Sequence, residues 1–510
     1  MPSPPAVPGV SEQAPVHEAT AGGLTAVAGK PNRGVEVGAA KASIAPRVKD
    51  MVKRFPGARW ETDPAECITL DPNEAQRLLG GSDPMEPLDG FANAGSPWPE
   101  NPSCIYMGGF GLGPMNPVKK FDTVDGLWVR AMAIRSGGKV LLLTVIDAEG
   151  WLWDYRSKCA DCGAKQISAA LAADPALKAK GLTPESFVLH ATHSHSGPDF
   201  IGGWGFVPNW YMAQVTDTIK AVAKQAVLAL QPATIQTGEV EARAFNGERR
   251  DTYRAAEEAQ LSWLRATSAK TGKTIVTLGS YAAHPTTRGT NDGVASGDWV
   301  APFEHRLEKR FGGIGMHMMT GLGNMSASGG TGIGAKLADL VPVRGRVVTG
   351  ALRVKQALLM QPITNVPLDA LGTPGFFDRK FSPLPAAVSV GESENAPCVS
   401  AAPQSVEIPV TVAKLGEGLV FTFAPGEVFS NLTNTIKEKS SGKITFPVAQ
   451  ANDALGYQPQ SFEINPVGQQ GLGFVAGGYL FVNYEDSYAI DRCIGDNVLE
   501  NTLSMLNALK

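Results

Sequence analysis

Two histidines separated by one residue follow a hydrophobic segment, residues 186–191, that is typical of a buried strand. Side chains at positions i and i+2 of an extended chain point to the same side, so His193 and His195 are expected to project together. In open α/β sheets, binding sites form at the carboxyl ends of strands. Two imidazoles there suit a transition metal such as Zn²⁺, and the alternative is a hydrogen-bonded pair in a wet loop. His190 has the opposite parity and is predicted to be structural.

Two further strand ends carry residue types that bind zinc. The segment 278–283 runs directly into His284 and Pro285, and proline stops strand pairing. Glu427 follows the hydrophobic segment 418–423. A catalytic zinc needs about three protein ligands and an open position, so ligands from several segments must converge. Glu427 also has a simpler interpretation, as a carboxylate favoured by the dipole at a helix N-terminus.

Two glycine-rich segments invite comparison with phosphate-binding loops. Residues 108–113 are followed by prolines, and residues 329–336 precede a predicted helix but lack the Gly-Lys-Ser/Thr of a P-loop. Neither segment has the G-x-G-x-x-G spacing of a dinucleotide-binding unit, which argues against a nucleotide-dependent enzyme. Ser326 lies in a glycine-rich turn just before the second segment. A serine in such a turn can act as a nucleophile or donate a hydrogen bond.

The composition limits the class of protein. The chain has 510 residues, of which 43% are hydrophobic and 18% are charged, and its formal net charge is −4. This balance argues against nucleic acid as a partner, because phosphate binding needs clustered Lys and Arg. No run of about 18 apolar residues occurs, so no transmembrane segment is expected. The 57 glycines and 37 prolines favour a loop-rich α/β protein over a helical bundle.

Strands alternate with helices along most of the chain, which predicts an α/β fold with a mixed, layered sheet. Strands are predicted at 128–134, 140–146, 186–191, 234–240, 259–266, 274–283 and 405–424. Helices are predicted at 163–173, 207–229, 300–311, 334–358 and 428–439.

The chain is expected to form one large domain with an irregular start. Residues 1–36 are rich in Pro, Ala and Gly without periodicity, which predicts a disordered tail before a catalytic domain at 37–510. The polar, proline-rich stretch 50–103 is predicted to be an insertion. No charged region followed by an apolar region marks a signal peptide. The N-terminal sequence therefore leaves the localisation of the protein open.

Six cysteines permit three disulfides without requiring them, and the pairing stays open. They are Cys67, Cys104, Cys159, Cys162, Cys398 and Cys493. Cys159 and Cys162 form a C-x-x-C without a second such motif, so a structural zinc site would be only half built. A local disulfide or plain thiols are favoured over a redox role. This cysteine usage favours an oxidising, extracellular compartment.

Five short motifs together resemble the neutral/alkaline, non-lysosomal ceramidases. In chain order they are ATHSHSGP at 191–198, YAAHP at 281–285, GNMS at 323–326, PGE at 425–427 and NDALGY at 452–457. The family's counterparts are A-T-H-T-H-S-G-P, A-V-H-P, G-D-x-S, P-G-E-F and a late N-x-x-x-x-Tyr. The motifs follow the family's order across about 190–460. Residues 37–41, 107–110 and 291–298 extend the resemblance.

The resemblance implies one zinc ion per chain and a set of residues around it. The implied ligands are His193, His284, Glu427 and Tyr457. His195 would lie beside the metal and help to polarise the carbonyl or transfer a proton. Ser326 corresponds to the family's essential serine, with a covalent or a positioning role left open. The family's arginine has two candidates here, Arg249 and Arg250.

The sequence departs from the family pattern at three places. Asn324 stands where the family has Asp, and Asp199 stands where it has Gly. The chain also stops at Lys510, which leaves no room for the C-terminal immunoglobulin-like domain typical of ceramidases. Because pocket walls set acyl-chain selectivity, these departures widen the range of expected substrates beyond ceramide.

The sequence therefore predicts a zinc-dependent hydrolase that cleaves the amide bond of ceramide or a related N-acyl compound with a zinc-activated water. Its partner would be a small-molecule or lipid-like N-acyl substrate. One alternative is a zinc-dependent esterase or amidase on a substrate that is not a sphingolipid. Another is a catalytically inactive relative in which zinc only braces a binding pocket.

Overall fold

The structure is a computed structural model. It describes residues 34–68, 101–111, 113–250, 256–365, 368–369, 378–383, 388–393, 396–464 and 484–509. These residues belong to one compact unit, Asn32–Lys510. Most of the predicted tail at 1–36 and the middle of the predicted insertion at 50–103 lie outside the described residues. In the part of the chain that the structure describes, no helix is long and apolar enough to cross a membrane.

Nine of the described strands form the main sheet. They are β1 Val35–Ser43, β2 Trp128–Ser136, β3 Lys139–Ile146, β4 Phe187–Ala191, β5 Gln231–Glu241, β6 Gln260–Ser268, β7 Thr274–Tyr281, β8 Ile314–Met319 and β9 Arg346–Val348. Their order is β8-β7-β6-β5-β1-β2-β3-β4, and β9 pairs with β5. The pairs β3–β4 and β7–β8 are parallel and the other pairs are antiparallel. The sheet is therefore mixed, as predicted.

A second sheet of five strands packs against the first. Its strands are β10 Leu352–Pro362, β11 Ser382–Pro383, β12 Gln404–Leu415, β13 Leu419–Phe423 and β14 Ile444–Val448. They lie in the order β10-β12-β13-β14, with β11 on β12. Side chains from the two sheets share one buried apolar cluster, which includes Leu278, Met318, Phe421 and Phe446. The two sheets thus bury a common interface.

Helices cover the outer faces of the sheets. They are α1 Val48–Met51, α2 Ala164–Ala173, α3 Pro175–Lys178, α4 Asn209–Leu228, α5 Val300–Phe311, α6 Ile333–Leu340, α7 Ser430–Lys439, α8 Tyr484–Ser487 and α9 Ile494–Ala508. Helix α4 buries Val215, Ile219, Val222 and Ala226 at helical spacing, and this stripe packs on β1, β2 and β3. Helices α7 and α9 join a separate cluster with β12. The predicted layered α/β architecture is confirmed.

One predicted helix is wrong in its second half. The helix expected at 334–358 ends at Leu340, and the chain continues as β9 and β10. Pro342 and the glycines at 345 and 350 interrupt the helical pattern. Residues 352–355 and 357–360 then alternate between more buried and more exposed positions, which suits a strand with one solvated face.

The six cysteines form three disulfides. The pairs are Cys67–Cys104, Cys159–Cys162 and Cys398–Cys493. The C-x-x-C is therefore a local disulfide, which closes the loop just before α2 rather than supplying half of a zinc site. The Cys398–Cys493 bridge ties residues near β12 to the start of α9.

Candidate metal and catalytic site

Each predicted site residue follows the carboxyl end of a strand. His193 follows β4, His284 follows β7, Ser326 follows β8, Glu427 follows β13 and Tyr457 follows β14. The strand ends are brought together by the segment after β14. The Ala449 amide donates to the Met319 carbonyl over 2.9 Å, and the Ala191 amide donates to the Gln450 carbonyl over 3.3 Å. This segment therefore joins the ends of β4 and β8, which lie at opposite edges of the main sheet.

The two histidines of the H-x-H motif converge, but not for the predicted reason. Strand β4 ends at Ala191, and His193 has a φ of 60°, in the left-handed region. The chain is therefore not extended here, and the argument from i, i+2 parity is wrong. A turn brings the Nε2 atoms of His193 and His195 to 3.2 Å from each other. With His284 they form a group whose nitrogens lie within 4.8 Å of one another and which could hold a metal ion.

Backbone carbonyls fix the orientation of two of these rings. His193 Nδ1 lies 2.8 Å from the Glu149 carbonyl, and His284 Nδ1 lies 2.7 Å from the Leu322 carbonyl. A carbonyl only accepts, so each Nδ1 carries a proton, and in the neutral imidazole each Nε2 then keeps a lone pair. Metal-binding histidines are commonly held in this way by a partner of the second ring nitrogen.

The Nε2 atoms of His193 and His284 lie close to the Glu427 carboxylate. Glu427 Oε2 lies 2.9 Å from His284 Nε2 and 3.4 Å from His193 Nε2. Two imidazole lone pairs and a carboxylate oxygen thus face one another, and a cation balances such a set of acceptors. Nitrogen and oxygen donors in this combination suit Zn²⁺. The residues present therefore fit the zinc ion that the sequence resemblance implies.

Electrostatics keep Glu427 and His284 in metal-binding protonation states in the protein without metal, whereas the Glu427 carboxylate outweighs burial and raises the pKa of His193 above its usual value. Burial raises the pKa of the Glu427 carboxyl, but the imidazoles of His193 and His284 outweigh this and hold it well below its usual range. Burial, reinforced by Arg249, lowers the pKa of His284 to about 4. Burial and the two neighbouring imidazoles lower the pKa of His195 well below its usual value. Glu427 is thus ionised and His284 neutral near pH 7, as metal coordination requires.

Tyr457 lies opposite Glu427 in a short parallel ribbon. Arg249 Nη2 donates to the Tyr457 hydroxyl oxygen over 3.0 Å and to the Gly323 carbonyl over 2.9 Å. Its Nε donates to Glu485. These hydrogen bonds fix the position of the Tyr457 hydroxyl relative to the segment that carries Gly323. Arg249 therefore reaches the candidate site directly.

The second candidate arginine is placed in the core. Arg250 Nη2 donates to Asp486 and to the Glu463 carbonyl, and its guanidinium stacks over the Phe429 ring. The Arg250 side chain is 2% exposed. Of the two arginines left open by the sequence, Arg249 is the one that donates a hydrogen bond to the Tyr457 hydroxyl.

Ser326 is placed beside His284 through the backbone. It lies in the strand Met325–Ala327, which pairs with Asn246–Glu248, and it forms a β-bridge with His284. The His284 amide donates to the Met325 carbonyl over 2.9 Å. Ser326 is partly exposed. The backbone thus places Ser326 next to His284 at a position that solvent reaches.

A glycine loop covers His195. Gly109 has a φ of +94°, and a Cβ atom there would lie 2.5 Å from His195 Nδ1. The neighbouring Phe110 ring contacts the His195 ring edge-on, with centroids 5.1 Å apart. The glycine-rich segment at 108–113, which the sequence left without a role, thus packs against an imidazole of the site.

Replacing Gly109 with alanine is expected to displace His195. The methyl group meets the ring, and the positive φ is unfavourable for a residue with a side chain, so about 1–3 kcal/mol of stability is expected to be lost. Hydrolytic turnover is expected to fall with it. Gly330→Ala is the matched control, because a Cβ at Gly330 meets open space. Thermal unfolding and turnover of both variants test this, and equal behaviour of the two would contradict the assigned packing.

Sequence reasoning missed two residues that surround His193. Glu149 follows the end of β3 and is fully buried, and burial raises the pKa of its carboxyl to about 8. The strand-end rule that found the other residues applies to Glu149 as well. Gln450 follows β14 and contacts the His193 ring from the other side. No short motif marks it, because the contact spans 257 residues of sequence.

The two residues that depart from the family pattern, Asn324 and Asp199, have structural roles. Asn324 exchanges hydrogen bonds with Ser430, whose hydroxyl accepts from Nδ2 and whose amide donates to Oδ1, both over 2.8 Å. It thereby anchors the start of α7. Asp199 is fully buried and accepts from the backbone amides of Ile201, Gly202, Trp204 and Phe206. It thereby organises the loop that carries Trp204 to the glycine segment, where the indole donates to the Gly111 carbonyl.

Removing the Asp199 carboxylate is expected to destabilise the protein strongly. Asp199→Ala leaves four N–H groups, three of them buried, without their acceptors, and we expect a loss of about 3 kcal/mol in the free energy of unfolding. Asp199→Asn keeps one acceptor oxygen, and about half of that loss is expected. Urea unfolding of both variants measures this. Equal stability of wild type and Asp199→Ala would contradict the role given to the carboxylate.

No protein-family profile and no curated protein matches this chain. Solved structures do match it. Neutral ceramidase from Pseudomonas aeruginosa aligns over 93% of this chain and 74% of its own, with a TM-score of 0.57 and 15% sequence identity. A ceramidase complexed with C2 aligns over 93% and 75%, with a TM-score of 0.59 and 14% identity. The chain therefore has a ceramidase-like fold.

Proposed function

We propose that this protein is a zinc-dependent hydrolase that cleaves the amide bond of ceramide or a related N-acyl compound. The observation that carries the proposal is the meeting of His193 Nε2, His284 Nε2 and Glu427 Oε2 at the carboxyl ends of three strands. The two solved structures with a similar fold are ceramidases by description, which supports the same reaction class.

His193, His284, Glu427 and Tyr457 would hold the metal. Zinc, when bound, supplies a Lewis acid that polarises a carbonyl and activates water. The chain's own residues prepare the site for it. The carbonyls of Glu149 and Leu322 fix two imidazoles, and Arg249 holds the Tyr457 hydroxyl. These contacts leave the site organised before substrate binds.

The departing amine of an amide needs a proton, and the proposal assigns its delivery to His195. His195 lies beside the candidate ligands, with Nε2 3.2 Å from His193 Nε2. A neutral imidazole there accepts a proton at Nε2 from the attacking water and passes it to the leaving nitrogen. The Phe110 ring and Gly109 hold the His195 ring in place. Ser326, next to His284, would position the substrate or attack it.

The proposed substrate class is N-acyl amides in general, with ceramide as one member. The loop organised by Asp199 carries Trp204 against the glycine segment that covers His195. The ceramidase pattern has glycine at the position of Asp199. The loop that Asp199 organises beside the candidate site therefore differs from the family's. An esterase acting on a substrate that is not a sphingolipid would use the same metal site.

The three disulfides support an oxidising compartment as the protein's location. Disulfides persist in secreted and extracellular proteins and are rare in the cytosol. An extracellular site of action is therefore part of the proposal.

Metal content and substrate screening test the proposed function together. Protein purified without chelator is expected to carry about one zinc per chain by mass spectrometry, as a catalytic zinc site requires. It is then assayed on ceramides of graded acyl length, N-acyl amino acids and matched esters. Amide cleavage that chelator abolishes and zinc restores is expected. Folded protein that takes up no zinc would overturn the proposal, and zinc-loaded protein without hydrolysis would favour an inactive binding relative.

A further inference from the structure

The Nδ1 atom of His193 has partners on two sides. The Glu149 carbonyl lies 2.8 Å away, and the Gln450 side-chain nitrogen lies 3.1 Å away. Because the carbonyl only accepts, Nδ1 carries the proton and cannot also accept one from an amide N–H. The nitrogen and oxygen of a glutamine amide exchange places by a half-turn. That half-turn puts Gln450 Oε1 against the ring proton, which then has two acceptors.

The surroundings of Gln450 favour a role directed at this ring. Its side chain is 3% exposed, and among the described residues Oε1 has no partner before the half-turn. Its backbone amide donates to the Gly426 carbonyl over 2.8 Å, and its carbonyl accepts from Ala191 over 3.3 Å. Residue 450 therefore joins the segment next to Glu427 to the segment next to His193.

The backbone of Gln450 is held in an unfavourable conformation. Its φ is 49°, in the left-handed region that glycine adopts readily and that residues with a side chain rarely adopt. Unfavourable backbone conformations persist where the surrounding structure fixes them, often at functional sites. A glycine would adopt this φ without strain. The presence of a glutamine at position 450 therefore indicates that its side chain has a role.

We propose that Gln450 is a positioning residue for His193. Its amide and the Glu149 carbonyl hold the imidazole from both sides, so that the Nε2 lone pair faces Glu427 Oε2 and the metal. This inference rests on the proposed function, because it assigns a role at the same metal site. Removing a hydrogen-bond partner of the second ring nitrogen of a metal-binding histidine typically changes metal affinity by about 10–100-fold.

Two substitutions separate positioning from structural support. Gln450→Gly removes the amide and relieves the unfavourable φ, so the metal-free protein is expected to keep its melting temperature. Gln450→Met keeps the length of the side chain but removes the acceptor. Both variants are expected to bind zinc about 10–100-fold more weakly than wild type in competition with a chromogenic chelator. Gln450→Glu supplies a carboxylate acceptor and is expected to restore wild-type affinity.

Two further measurements complete the experiment, the visible spectrum of bound Co²⁺ and a control substitution at a glutamine far from position 450 in the sequence. Co²⁺ in Gln450→Gly is expected to show an altered visible spectrum, which reports the arrangement of its ligands. Gln361→Leu is the matched control, because Gln361 is fully buried in β10 with an amide nitrogen that has no described partner. Its zinc affinity is expected to equal that of wild type.

The outcomes distinguish this inference from the proposed function. Wild-type zinc affinity in both Gln450→Gly and Gln450→Met would overturn the positioning role alone. The positioning role would also be overturned if both variants bound zinc more weakly only to the extent that their melting temperatures fell, and if Gln450→Glu did not restore the affinity. That result would indicate a structural role for Gln450. Wild-type protein that binds no zinc would overturn the proposed function and this inference with it.

Discussion

His284→Ala is expected to lose both the bound metal and the hydrolytic activity. A metal ion acting as a Lewis acid contributes several kcal/mol to transition-state stabilisation. Since about 1.4 kcal/mol corresponds to a tenfold change in rate, turnover is expected to fall by about 10³-fold or more. Metal content by mass spectrometry and turnover on the best N-acyl substrate measure the two losses.

The size of this effect follows from the position of His284. The residue is fully buried, its Nδ1 is committed to the Leu322 carbonyl and its Nε2 lies 2.9 Å from Glu427 Oε2. Water filling the vacated space cannot replace an imidazole fixed in this way. Glu427→Ala removes the negative charge from the same cluster and is expected to have the same effect. Glu427→Gln, which keeps the shape and removes the charge, is expected to lose the metal as well.

His305, which lies outside the site, provides a control that also removes one imidazole from the protein. His305 lies on α5, is 53% exposed and pairs with Asp125. His305→Ala is expected to keep about one zinc per chain and the wild-type rate. Melting temperatures of all variants establish that they are folded. Full metal content and full activity in folded His284→Ala would refute the assignment of this residue to the metal site.

The convergence of the site could be predicted from the sequence because it follows from local patterns. A hydrophobic segment followed by a polar residue marks the end of a strand. The carboxyl ends of strands in an open α/β sheet are where binding sites form. This reasoning placed His193 and His284 at strand ends and made Glu427 one candidate, and the family resemblance supplied the full set of ligands. The structure brings Glu427 Oε2 to 2.9 Å from His284 Nε2 and 3.4 Å from His193 Nε2. The same rule applied to β3 would have included Glu149.

The finer geometry of the site could not be predicted from local patterns. The left-handed turn at His193 and the contact of Gln450 with its ring depend on a segment more than 250 residues away. The choice between Arg249 and Arg250 depends on Asp486 and Glu485, which lie near the end of the chain. Such contacts are fixed by packing and leave no spacing signal in the sequence. By contrast, the proline and glycines after Leu340 were visible signals that the helix ends there.

Ser326→Ala is expected to keep the metal and to lose turnover. Serine is not among the four proposed ligands, so zinc content is expected to stay at about one per chain. Removing a hydrogen-bond donor to the developing oxyanion typically lowers the rate by about 10²–10³-fold, and removing a nucleophile lowers it at least as much. The separation of metal content from turnover distinguishes Ser326 from the ligands.

Ser328 provides the matched control and a burst experiment separates the two roles of Ser326. Ser328 lies two positions further along the same turn and is exposed, so Ser328→Ala is expected to turn over like wild type. With an activated ester substrate, a covalent role gives a burst of product and an acyl group on Ser326, because acyl transfer then precedes hydrolysis. A positioning role gives neither. In both cases Ser326→Ala is slow, and an unchanged rate in this variant would remove Ser326 from the mechanism, because a backbone bridge to His284 needs no hydroxyl.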